Sequence, residues 1–439
     1  MRFDMVIHNG IVVTMNAACD VIPEGLVCIK GGRLQQVSAK PEGGILPAAK
    51  EVIDAEGGII MPGLINTHTH LPMTLFRGLA DDLPLAVWLN AHIFPAEAGH
   101  INPETVRFGT LLGCAELILS GTTTCCDGYF LEEHVAEAVH QSGLRAVLGH
   151  GVIDFPAPGV PDPSRNIHAA LEFVEKWRGA SALIKPSVFC HSPYTCSADT
   201  LKKAKAAAAA TGVLFQIHVA ETKHEFDQSL RDHDGLTPVE YLERIGILDS
   251  DTLLVHAVWL KESDIERIAG RKASVSVSTE SEMKLASGIA PVPDLIKAGI
   301  AVGLGTDGCA SNNDQDLFGE MDAIAKLHKV NTLDPTVMDA GTVLTLATIG
   351  GAKALGLDRE TGSLESGKQA DVIVIDTRKP HLFPMYSPVS HLVYSARGSD
   401  VRDVIVAGRP ILKDRKLLTL DMEAIYEKVG SVCRRIKPK

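Results

Sequence analysis

The segment I-I-M-P-G-L-I-N-T-H-T-H at positions 59–70 constrains the fold more than any other part of the chain. Two apolar runs flank a Pro-Gly pair, and the second run leads into His68 and His70. In an extended strand, side chains two residues apart lie on the same face. Both imidazoles therefore point the same way from the end of a buried strand, as a borderline metal such as zinc requires.

The length and the charge of the chain narrow its class. A chain of 439 residues exceeds what one compact core usually holds, so we expect a large domain and a smaller companion. Hydrophobic residues make up 45% and charged residues 22%, as in an ordinary globular protein. The formal net charge of −12 argues against nucleic acid as a partner, because phosphate binding needs a basic surface. A small nucleoside is compatible with this charge.

The terminus and the cysteines bear on the location of the protein. The N-terminus lacks the charged-then-apolar pattern of a secretion signal, and no apolar run reaches the length of a membrane span. The nine cysteines are an odd number without a C-x-x-C pair, which favours reduced thiols. We therefore expect a cytoplasmic protein without a membrane partner. The sequence leaves the oligomeric state open, a homo-oligomer included.

Both ends of the chain are rich in short strand-like runs. Residues 1–60 alternate such runs with turns, for example at Asn9-Gly10, and residues 366–439 include a clean strand at 371–376. Residues 391–394 are also predicted to form a strand. We expect the two ends to meet in one small β-sandwich, because the termini of an intervening domain commonly lie close together.

The middle of the chain, residues 61–365, alternates short apolar strands with longer helical stretches. Eight candidate strands end near His68, Cys125, His150, Cys190, His218, His256, Ser278 and Asp307. Eight such units predict an α/β fold, a (β/α)8 barrel of the TIM type. A doubly wound open sheet is the alternative, but its ligand crevice draws on only two or three strands. Polar residues end at least five strands here, which favours the barrel.

Three further strand ends carry imidazole or carboxylate groups. The segment V-L-F-Q-I-H-V-A-E at 213–221 places His218 at a strand end, with Glu221 in the following loop. His256 and Asp307 end two later strands in the same way. One buried histidine at a strand end is more often a core residue than a ligand. Because the carboxyl ends of barrel strands converge, the repeated pattern indicates a metal site at the barrel mouth.

One competing motif, G-L-G-T-D-G at 303–308, matches the glycine fingerprint of dinucleotide-binding proteins. It runs into a polar loop rather than a helix, and Asp307 stands where a phosphate would sit. We therefore discount dinucleotide binding. The H-x-E and P-C-x-x-C signature of the other zinc deaminase fold does not occur in the sequence, which excludes that fold.

Seven segments carry a family resemblance. They are P-G-L-I-N-T-H-T-H (62–70), L-P-M-T-L-F-R-G-L-A-D-D-L-P-L (71–85), F-P-A-E (94–97), H-S-P-Y-T (191–195), H-V-A-E-T (218–222), K-L-A-S-G-I-A-P-V (284–292) and G-T-D-G-C-A-S-N-N-D (305–314). As a set they resemble the amidohydrolase superfamily and, within it, the 5-methylthioadenosine/S-adenosylhomocysteine deaminase family. The resemblance implies metal-dependent hydrolytic deamination of 5′-methylthioadenosine, S-adenosylhomocysteine or both to the inosine-type product and ammonia.

The resemblance also implies a ligand set for one divalent metal: His68, His70, His218 and Asp307. Zinc suits three imidazoles and a carboxylate, and iron(II) or manganese(II) also occupies such sites. By the same resemblance His256 orients the hydrolytic water, and Glu221 exchanges a proton with a ring nitrogen of the purine. Asp307 and His256 can take the proton of the water. Lys185, early in the fourth strand, is interpreted as structural, so the centre is expected to be mononuclear.

Three more residues are implied to contact the substrate. Glu97 accepts hydrogen bonds from the ribose hydroxyls, His191 contacts the purine, and Trp88 forms an aromatic wall. Glu221 and Asp307 also face the substrate. Each of the first three has a plain structural interpretation as well: a carboxylate at a helix start, a loop cap and a core aromatic.

The chain departs from the family pattern in two places that bear on the pocket. Where the family often has N-P-x-S-N, this chain has S-T-E-S-E, which brings Glu280 and Glu282 close to the seventh strand end. The third strand ends at His150 where relatives that bind an amino-acid tail offer arginine, and Arg145 and Arg165 lie nearby in sequence. These departures leave the preference for the substituent on the nucleoside open.

Three other functions share the fold. Guanine deaminases and triazine chlorohydrolases use the same metal ligands with a different pocket, and Glu97 argues for a ribose and against a triazine. A dinuclear amide-ring hydrolase would hold two metals. A non-catalytic barrel scaffold would lack ligands, whereas every ligand position is filled here.

Overall fold

The computed structural model describes residues 2–41, 43 and 45–437. Its strands are β1 (Phe3–Val13), β2 (Val21–Lys30), β3 (Arg33–Ala39), β4 (Ala49–Asp54), β5 (Ile59–Pro62), β6 (Leu64–Thr69), β7 (Thr122–Tyr129), β8 (Arg145–Val152), β9 (Ile184–Cys190), β10 (Phe215–Val219), β11 (Thr252–His256), β12 (Ser274–Val277), β13 (Val302–Leu304), β14 (Val372–Ile375), β15 (Val401–Val406), β16 (Arg409–Lys413) and β17 (Lys416–Leu417). Within the described residues these strands form two sheets.

The strands β6–β13 form a parallel sheet whose order follows the sequence. Its first and last strands meet: a parallel bridge joins Thr69 to Asp307, and the Asp307 amide donates to the His68 carbonyl at 3.0 Å. The sheet is thereby closed into the predicted (β/α)8 barrel. Closure sets the carboxyl end of β13 beside that of β6, which brings their polar residues to one mouth.

The second barrel strand is longer than the sequence pattern indicated. It was predicted to end near Cys125, but β7 continues to Tyr129. Every residue of this strand, T-T-T-C-C-D-G-Y, is buried although half of its side chains are polar. Burial of polar groups inside the barrel hid the strand end from a pattern based on apolar residues.

Helices follow the barrel strands and cover their outer face. The α-helices of the described residues are Leu85–Val87, Phe94–His100, Pro103–Leu119, Glu132–Ser142, Asn166–Trp177, Ala198–Thr211, Lys223–Asp232, Pro238–Arg244, Glu262–Arg271, Thr279–Lys284, Val292–Lys297, Leu317–Thr332, Ala340–Thr345, Gly351–Ala354, Pro388–Tyr394 and Met422–Ile436. Shorter 3-10 and π segments are Leu71–Phe76, Trp88–Ile93, Pro163–Arg165, Leu346–Gly350, Pro380–Leu382 and Gly398–Asp400. None of these helices is both long and apolar enough to cross a bilayer.

Local sequence explains where the helix Pro103–Leu119 begins and ends. The side chain of Asn102 accepts from the Thr105 amide, and the Thr105 hydroxyl accepts from the Asn102 amide, which completes a capping box. Pro103 at the first helical position has no amide hydrogen to leave unpaired. After the helix, Gly121 takes a φ of 87° and turns the chain into β7.

The two ends of the chain meet, as the sequence predicted, and their strands form one mixed sheet. Its strand order is β17-β16-β15-β14-β5-β1-β2-β3, with β4 beside β1. The strand β5 pairs with β14 in antiparallel register and with β1 in parallel register, so it joins the two ends of the chain. Apolar side chains from both ends, among them Ile7, Val27, Val374 and Ile405, form the buried core of this sheet.

Two predicted features of these ends are wrong. Residues 391–394 lie in the helix Pro388–Tyr394, because the Ser387 hydroxyl caps the Ser390 amide and Pro388 occupies the first turn. The pair Asn9-Gly10 does not form a hairpin turn. It is an irregularity within the continuous strand β1, where Asn9 has a φ of 59°.

A buried ion pair joins the mixed sheet to the amino end of the barrel. Arg145, at the start of β8, donates through Nε and Nη2 to Asp371 at 2.8 and 3.1 Å. Asp371 also accepts the Thr361 hydroxyl at 2.9 Å and the Ala407 amide at 2.7 Å. The pair is buried on both sides and saturated with hydrogen bonds, so it fixes the position of the two sheets relative to each other.

Candidate active site

Four potential metal ligands meet at the carboxyl end of the barrel. His68 lies in β6 and His218 in β10, while His70 and Asp307 lie just beyond β6 and β13. The Nε2 atom of His68 is 3.1 Å from Nε2 of His218 and 3.5 Å from Oδ1 of Asp307. Nε2 of His70 is 3.4 Å from the same oxygen. Three imidazole nitrogens and one carboxylate oxygen thus converge, as the sequence predicted they would.

Neighbouring groups hold two of these ligands in place. The Nδ1 atom of His70 donates to the Gly128 carbonyl at 2.7 Å, which leaves its Nε2 lone pair facing the other imidazoles. The hydroxyls of Ser281 and Ser311 donate to Oδ2 of Asp307 at 2.7 and 2.8 Å, so Oδ1 is left to face the histidines. Asp307 has a left-handed φ of 60°, a strained conformation typical of functional positions.

Burial and mutual contact set the protonation states of the four candidate ligands. Desolvation lowers the pKa of His68 to about 3, and it also lowers the pKa values of His70 and His218, so these imidazoles are neutral at pH 7. Burial alone would raise the pKa of Asp307, but the surrounding imidazoles hold it well below its usual range. Neutral imidazole nitrogens and an ionised carboxylate are the forms that bind a divalent cation, so the donor set fits such an ion.

His256 lies next to this group and between two carboxylates. Its Nε2 atom is 3.9 Å from Glu221 and its Nδ1 atom is 3.5 Å from Glu282. Burial would lower its pKa, but Glu221, Glu282 and Asp307 together raise it to about 10. Its φ is 73°, so the end of β11 is strained as well. His256 can therefore carry a proton in a region where the other imidazoles cannot.

The loop after β10 presents Glu221 to the cavity. Glu225 accepts the backbone amides of Ala220 and Glu221 at 2.7 and 2.9 Å, which holds this loop against the barrel. Burial raises the pKa of the Glu221 carboxyl to about 7. A carboxyl with such a pKa can both donate and accept a proton near neutral pH.

Glu97 and Tyr129 form a second polar pair on the opposite wall. Tyr129, at the end of β7, donates its hydroxyl to Oε1 of Glu97 at 2.6 Å. Both side chains are buried, and burial raises the pKa of Glu97 to about 7. One carboxyl oxygen of Glu97 remains without this bond and can accept from a polyhydroxylated ligand.

One cavity connects the two polar regions. Trp88, His191 and Phe189 line it together with the ligand and carboxylate groups. His191 Nδ1 is 2.9 Å from the Thr195 hydroxyl, so its other ring nitrogen is free for a ligand. A second, wider cavity continues outward. Several residues, among them Phe94, line both cavities.

The structure brings together every predicted site residue. His70, Trp88, Glu97, His191, His218, Glu221, His256 and Asp307 line the cavity, and His68 is buried beside His70 and His218. Lys185, interpreted as structural, pairs at 2.6 Å with Glu360 and lies outside the cavity.

Three residues weighed for recognition of an amino-acid tail lie elsewhere. Arg145 is in the buried ion pair with Asp371, His150 points into a separate pocket beside Lys176, and Arg165 is exposed. None of these three side chains lines either cavity of the mouth.

Sequence reasoning missed several contributors to the site. The sequence pattern does not indicate Tyr129 as a site residue, because it predicts that β7 ends four residues earlier. The sequence indicates Glu282 only as an acidic residue near the seventh strand end, because its contact with His256 depends on the turn of the helix Thr279–Lys284, which no strand pattern reveals. Of the serines that hold Asp307, Ser281 lies in the helix Thr279–Lys284 and Ser311 in the loop after β13, and only the folded barrel brings both to the same carboxylate.

Comparison with known proteins agrees with this geometry. Residues 59–411 match the model of the amidohydrolase family. The chain is 47% identical over 437 residues to a 5-methylthioadenosine/S-adenosylhomocysteine deaminase of Syntrophobacter fumaroxidans, with 100% of this chain and 99% of the relative covered. It is 45% identical over 434 residues to a 5′-deoxyadenosine deaminase of Methanosarcina mazei, with 99% and 98% covered. An adenosine deaminase crystal structure from Xanthomonas campestris with bound zinc has a TM-score of 0.96 at 36% identity and covers 99% of both chains. The chain therefore belongs to the amidohydrolase family.

Proposed function

We propose that this protein hydrolytically deaminates adenosine-type nucleosides with a small 5′ substituent, such as 5′-methylthioadenosine, to the inosine-type product and ammonia. The observation that carries the proposal is one cavity with two distinct polar walls. On one wall the Nε2 atoms of three histidines converge with Oδ1 of Asp307, and on the other Tyr129 holds Glu97. The names of the two similar deaminases support the same reaction class.

The ligand set is His68, His70, His218 and Asp307 in this proposal, and the ion is one divalent metal, zinc in the first place. The zinc reported for the similar Xanthomonas campestris structure supports that choice. When bound there, the metal supplies Lewis-acid activation of a water molecule at neutral pH. The chain contributes the neutral imidazoles that burial maintains.

The side chains around the proposed metal site transfer the protons of the reaction. Asp307 is ionised and placed to accept the proton that the attacking water gives up, while His256, protonated because its pKa is raised to about 10, is placed to orient that water by a hydrogen bond. Glu221, with a pKa raised to about 7, donates a proton to a ring nitrogen of the purine. Protonation makes C6 of the ring a better electrophile. The C6–N bond then breaks, and the amino group leaves as ammonia with a proton returned from these same residues.

The ribose is assigned to the opposite wall. The free oxygen of Glu97 accepts from the ribose 2′ and 3′ hydroxyls, and Tyr129 fixes the direction of the carboxyl group. Trp88 and Phe189 cover the faces of the cavity between the walls, where a flat purine fits. His191 is placed to bond the purine through the ring nitrogen that Thr195 leaves free.

The surface beyond the ribose supports an uncharged 5′ substituent. Leu85, Phe94 and Phe130 line both the inner and the outer cavity, so this passage is largely apolar, with Tyr194 and the ribose-assigned Glu97 as its polar members. Among the described residues that line the outer cavity there is one lysine, Lys223, and its Nζ atom pairs with Asp227 at 2.6 Å. A methylthio or 5′-deoxy group fits such a passage, whereas the amino-acid tail of S-adenosylhomocysteine needs partners for two charges.

A substrate panel tests the proposal. Zinc-loaded protein is incubated with 5′-methylthioadenosine, 5′-deoxyadenosine, S-adenosylhomocysteine, adenosine, guanine and a chlorotriazine, and the release of ammonia or chloride is followed. We expect the first two to react with the highest kcat/KM, and Glu221→Gln to abolish the reaction. The control Glu280→Gln changes an acidic residue outside the cavity lining and keeps the activity. Activity on guanine or the triazine alone would contradict the proposal.

A further inference from the structure

Two carboxyl groups are buried together behind the metal-ligand candidates and have no assigned role. Asp127 lies in β7 and Glu132 begins the helix Glu132–Ser142. Both are completely buried, and neither forms an ion pair within the described residues. Oδ2 of Asp127 and both carboxyl oxygens of Glu132 have no donor at hydrogen-bond geometry among the described groups, although the backbone amides of Tyr129 and Gly149 face Glu132 and act to lower its pKa. The Asp127 and Glu132 side chains lie within reach of each other. Unpaired carboxylates in such a place are costly, and a bond between the two carboxyls removes much of that cost.

The contact between the two carboxyls requires one shared proton. Two adjacent carboxylates without a cation cannot both be ionised in a buried site. Burial and the neighbouring Asp127 raise the pKa of Glu132 well above its usual range. Burial raises the pKa of Asp127 to about 7. A proton carried by Glu132 and donated to the free Oδ2 of Asp127 satisfies both carboxyl groups.

The other oxygen of Asp127 holds the segment that carries His70. Oδ1 accepts the Leu71 amide at 2.6 Å and the Thr69 hydroxyl at 3.1 Å, so the bonds reach the residues on both sides of His70. The next residue of β7, Gly128, accepts Nδ1 of the His70 ring at 2.7 Å. The backbone and the ring of His70 are thus fixed by two consecutive residues of one strand.

We infer that Asp127 and Glu132 form a proton-sharing carboxyl pair that positions His70 for metal binding. Glu132 orients Asp127, and Asp127 in turn fixes the backbone on either side of His70. Both are positioning residues, because neither touches the cavity. The inference rests on the proposed function in assigning His70 as a ligand, while the hydrogen bonds that it invokes do not depend on the metal.

Two variants of Glu132 and one control separate positioning from simple stability. Glu132→Gln keeps a neutral donor of the same shape, whereas Glu132→Leu removes the donor. Val135→Ala creates a small cavity in the same helix at a fully buried apolar residue that offers no hydrogen bond, so it controls for loss of stability. Melting temperatures identify how far each variant is destabilised.

The first readout is amide hydrogen exchange of metal-free protein, followed on peptides that contain residues 69–71. We expect faster exchange in Glu132→Leu than in the wild type, and exchange near the wild-type rate in Glu132→Gln and Val135→Ala. The second readout is the cobalt(II) affinity of the metal-free protein. It is expected to fall about 10-fold or more in Glu132→Leu and to stay unchanged in the other two variants, because groups that orient a ligand typically contribute this much.

Three results would overturn the inference. One is unchanged exchange at residues 69–71 in Glu132→Leu. Another is an equal loss in Glu132→Gln and Glu132→Leu, which would mean that an ionised glutamate is required. The third is an equal effect of Val135→Ala, which would reduce the role of the pair to stability. A wild-type protein that binds no cobalt would contradict the proposed function instead, and the exchange data would still decide the role of the pair.

Discussion

The two ends of the barrel differ in how completely their buried polar groups are hydrogen-bonded. At the amino end, Asp371 receives four hydrogen bonds, two of them from the guanidinium of Arg145. At the carboxyl end, the Nε2 atoms of His68 and His218 face each other at 3.1 Å, and Nε2 of His70 and Oδ1 of Asp307 face the same point without a cation among the described groups. Residues at this end also take left-handed backbone conformations, as at Asp307. One end is arranged to stabilise the fold, and the other keeps unsatisfied groups available for a ligand.

The largest expected effect is at the carboxyl end. Replacing Asp307 with alanine removes a candidate ligand and a proton acceptor, so kcat/KM should fall by about 10⁴-fold. Stability should respond far less than activity, because the variant loses the bonds from the Ser281 and Ser311 hydroxyls but also removes a buried carboxylate. We expect only a modest fall in the melting temperature of the metal-free protein. Steady-state ammonia release and thermal unfolding measure the two effects. A large loss of stability would show that the two ends do not differ in this way.

The second-largest effect is expected at the amino end of the barrel, where stability should fall and activity should not. Arg145→Met leaves Asp371 buried without its cation, which should lower the free energy of unfolding by about 3–5 kcal/mol. The kcat of the folded fraction should be unchanged, since this pair lies far from the cavity. Urea unfolding and activity at low temperature provide the two measurements.

The control for this variant is at the same end of the barrel. Lys185→Met removes a half-exposed ion pair with Glu360, and such pairs contribute at most about 1 kcal/mol. Equal losses in Arg145→Met and Lys185→Met would contradict the distinction between a buried, saturated pair and an exposed one.

Glu97 offers a pH-dependent test of how much a buried carboxylate at the barrel mouth destabilises the folded protein. Its pKa is raised by burial from 4.5 to about 7, so the folded protein binds this proton more tightly than the unfolded chain. Stability from this group is therefore present below pH 4.5 and is lost as the pH rises to about 7. Glu97→Gln should be more stable than the wild type at pH 8, by at most about 3 kcal/mol, and should lose this advantage at pH 5.

Unfolding of both proteins by urea at several pH values measures the difference. A difference that does not change between pH 5 and pH 8 would mean that Glu97 titrates normally in the folded protein. Tyr129→Phe is the matched variant, because it removes the hydrogen bond that lowers the Glu97 pKa. It should therefore increase the advantage of the glutamine variant at pH 8.

The smallest expected effect concerns Glu282. Its carboxylate lies 3.5 Å from Nδ1 of His256 and raises the pKa of that imidazole. Glu282→Gln should lower the pKa of His256 and reduce kcat about 10-fold, with KM nearly unchanged, because the residue acts through His256 and not on the substrate. Glu280→Gln, two residues earlier in the same helix and without that contact, should keep kcat within about two-fold of the wild type. Equal effects of the two variants would indicate a general charge effect.

Much of the mouth could be predicted from sequence because its residues follow short apolar strands. His68, His70, His218 and Asp307 each end such a run, and a barrel necessarily brings strand ends together. The family-specific segments then implied roles for Glu97 and Glu221, whose place in the cavity the structure agrees with.

Other features could not be predicted because they depend on contacts between distant segments. The polar run of β7 concealed Tyr129 and the carboxyl pair of Asp127 with Glu132, whose meaning appears only when a strand, a helix and the segment after β6 are packed together. Residues 391–394 form a helix since a serine and a proline before them outweigh their strand-like composition. Arg145 was weighed as a residue near the third strand end, while its position at the strand start turns it toward the mixed sheet.

A zinc titration of metal-free protein tests the central claim most directly. Ammonia release from 5′-methylthioadenosine is measured as zinc is added in fractions of one equivalent per chain. The account predicts activity that rises linearly and stops rising at one zinc per chain. A plateau at two equivalents, or no ammonia at any ratio, would contradict a mononuclear adenosine-type deaminase.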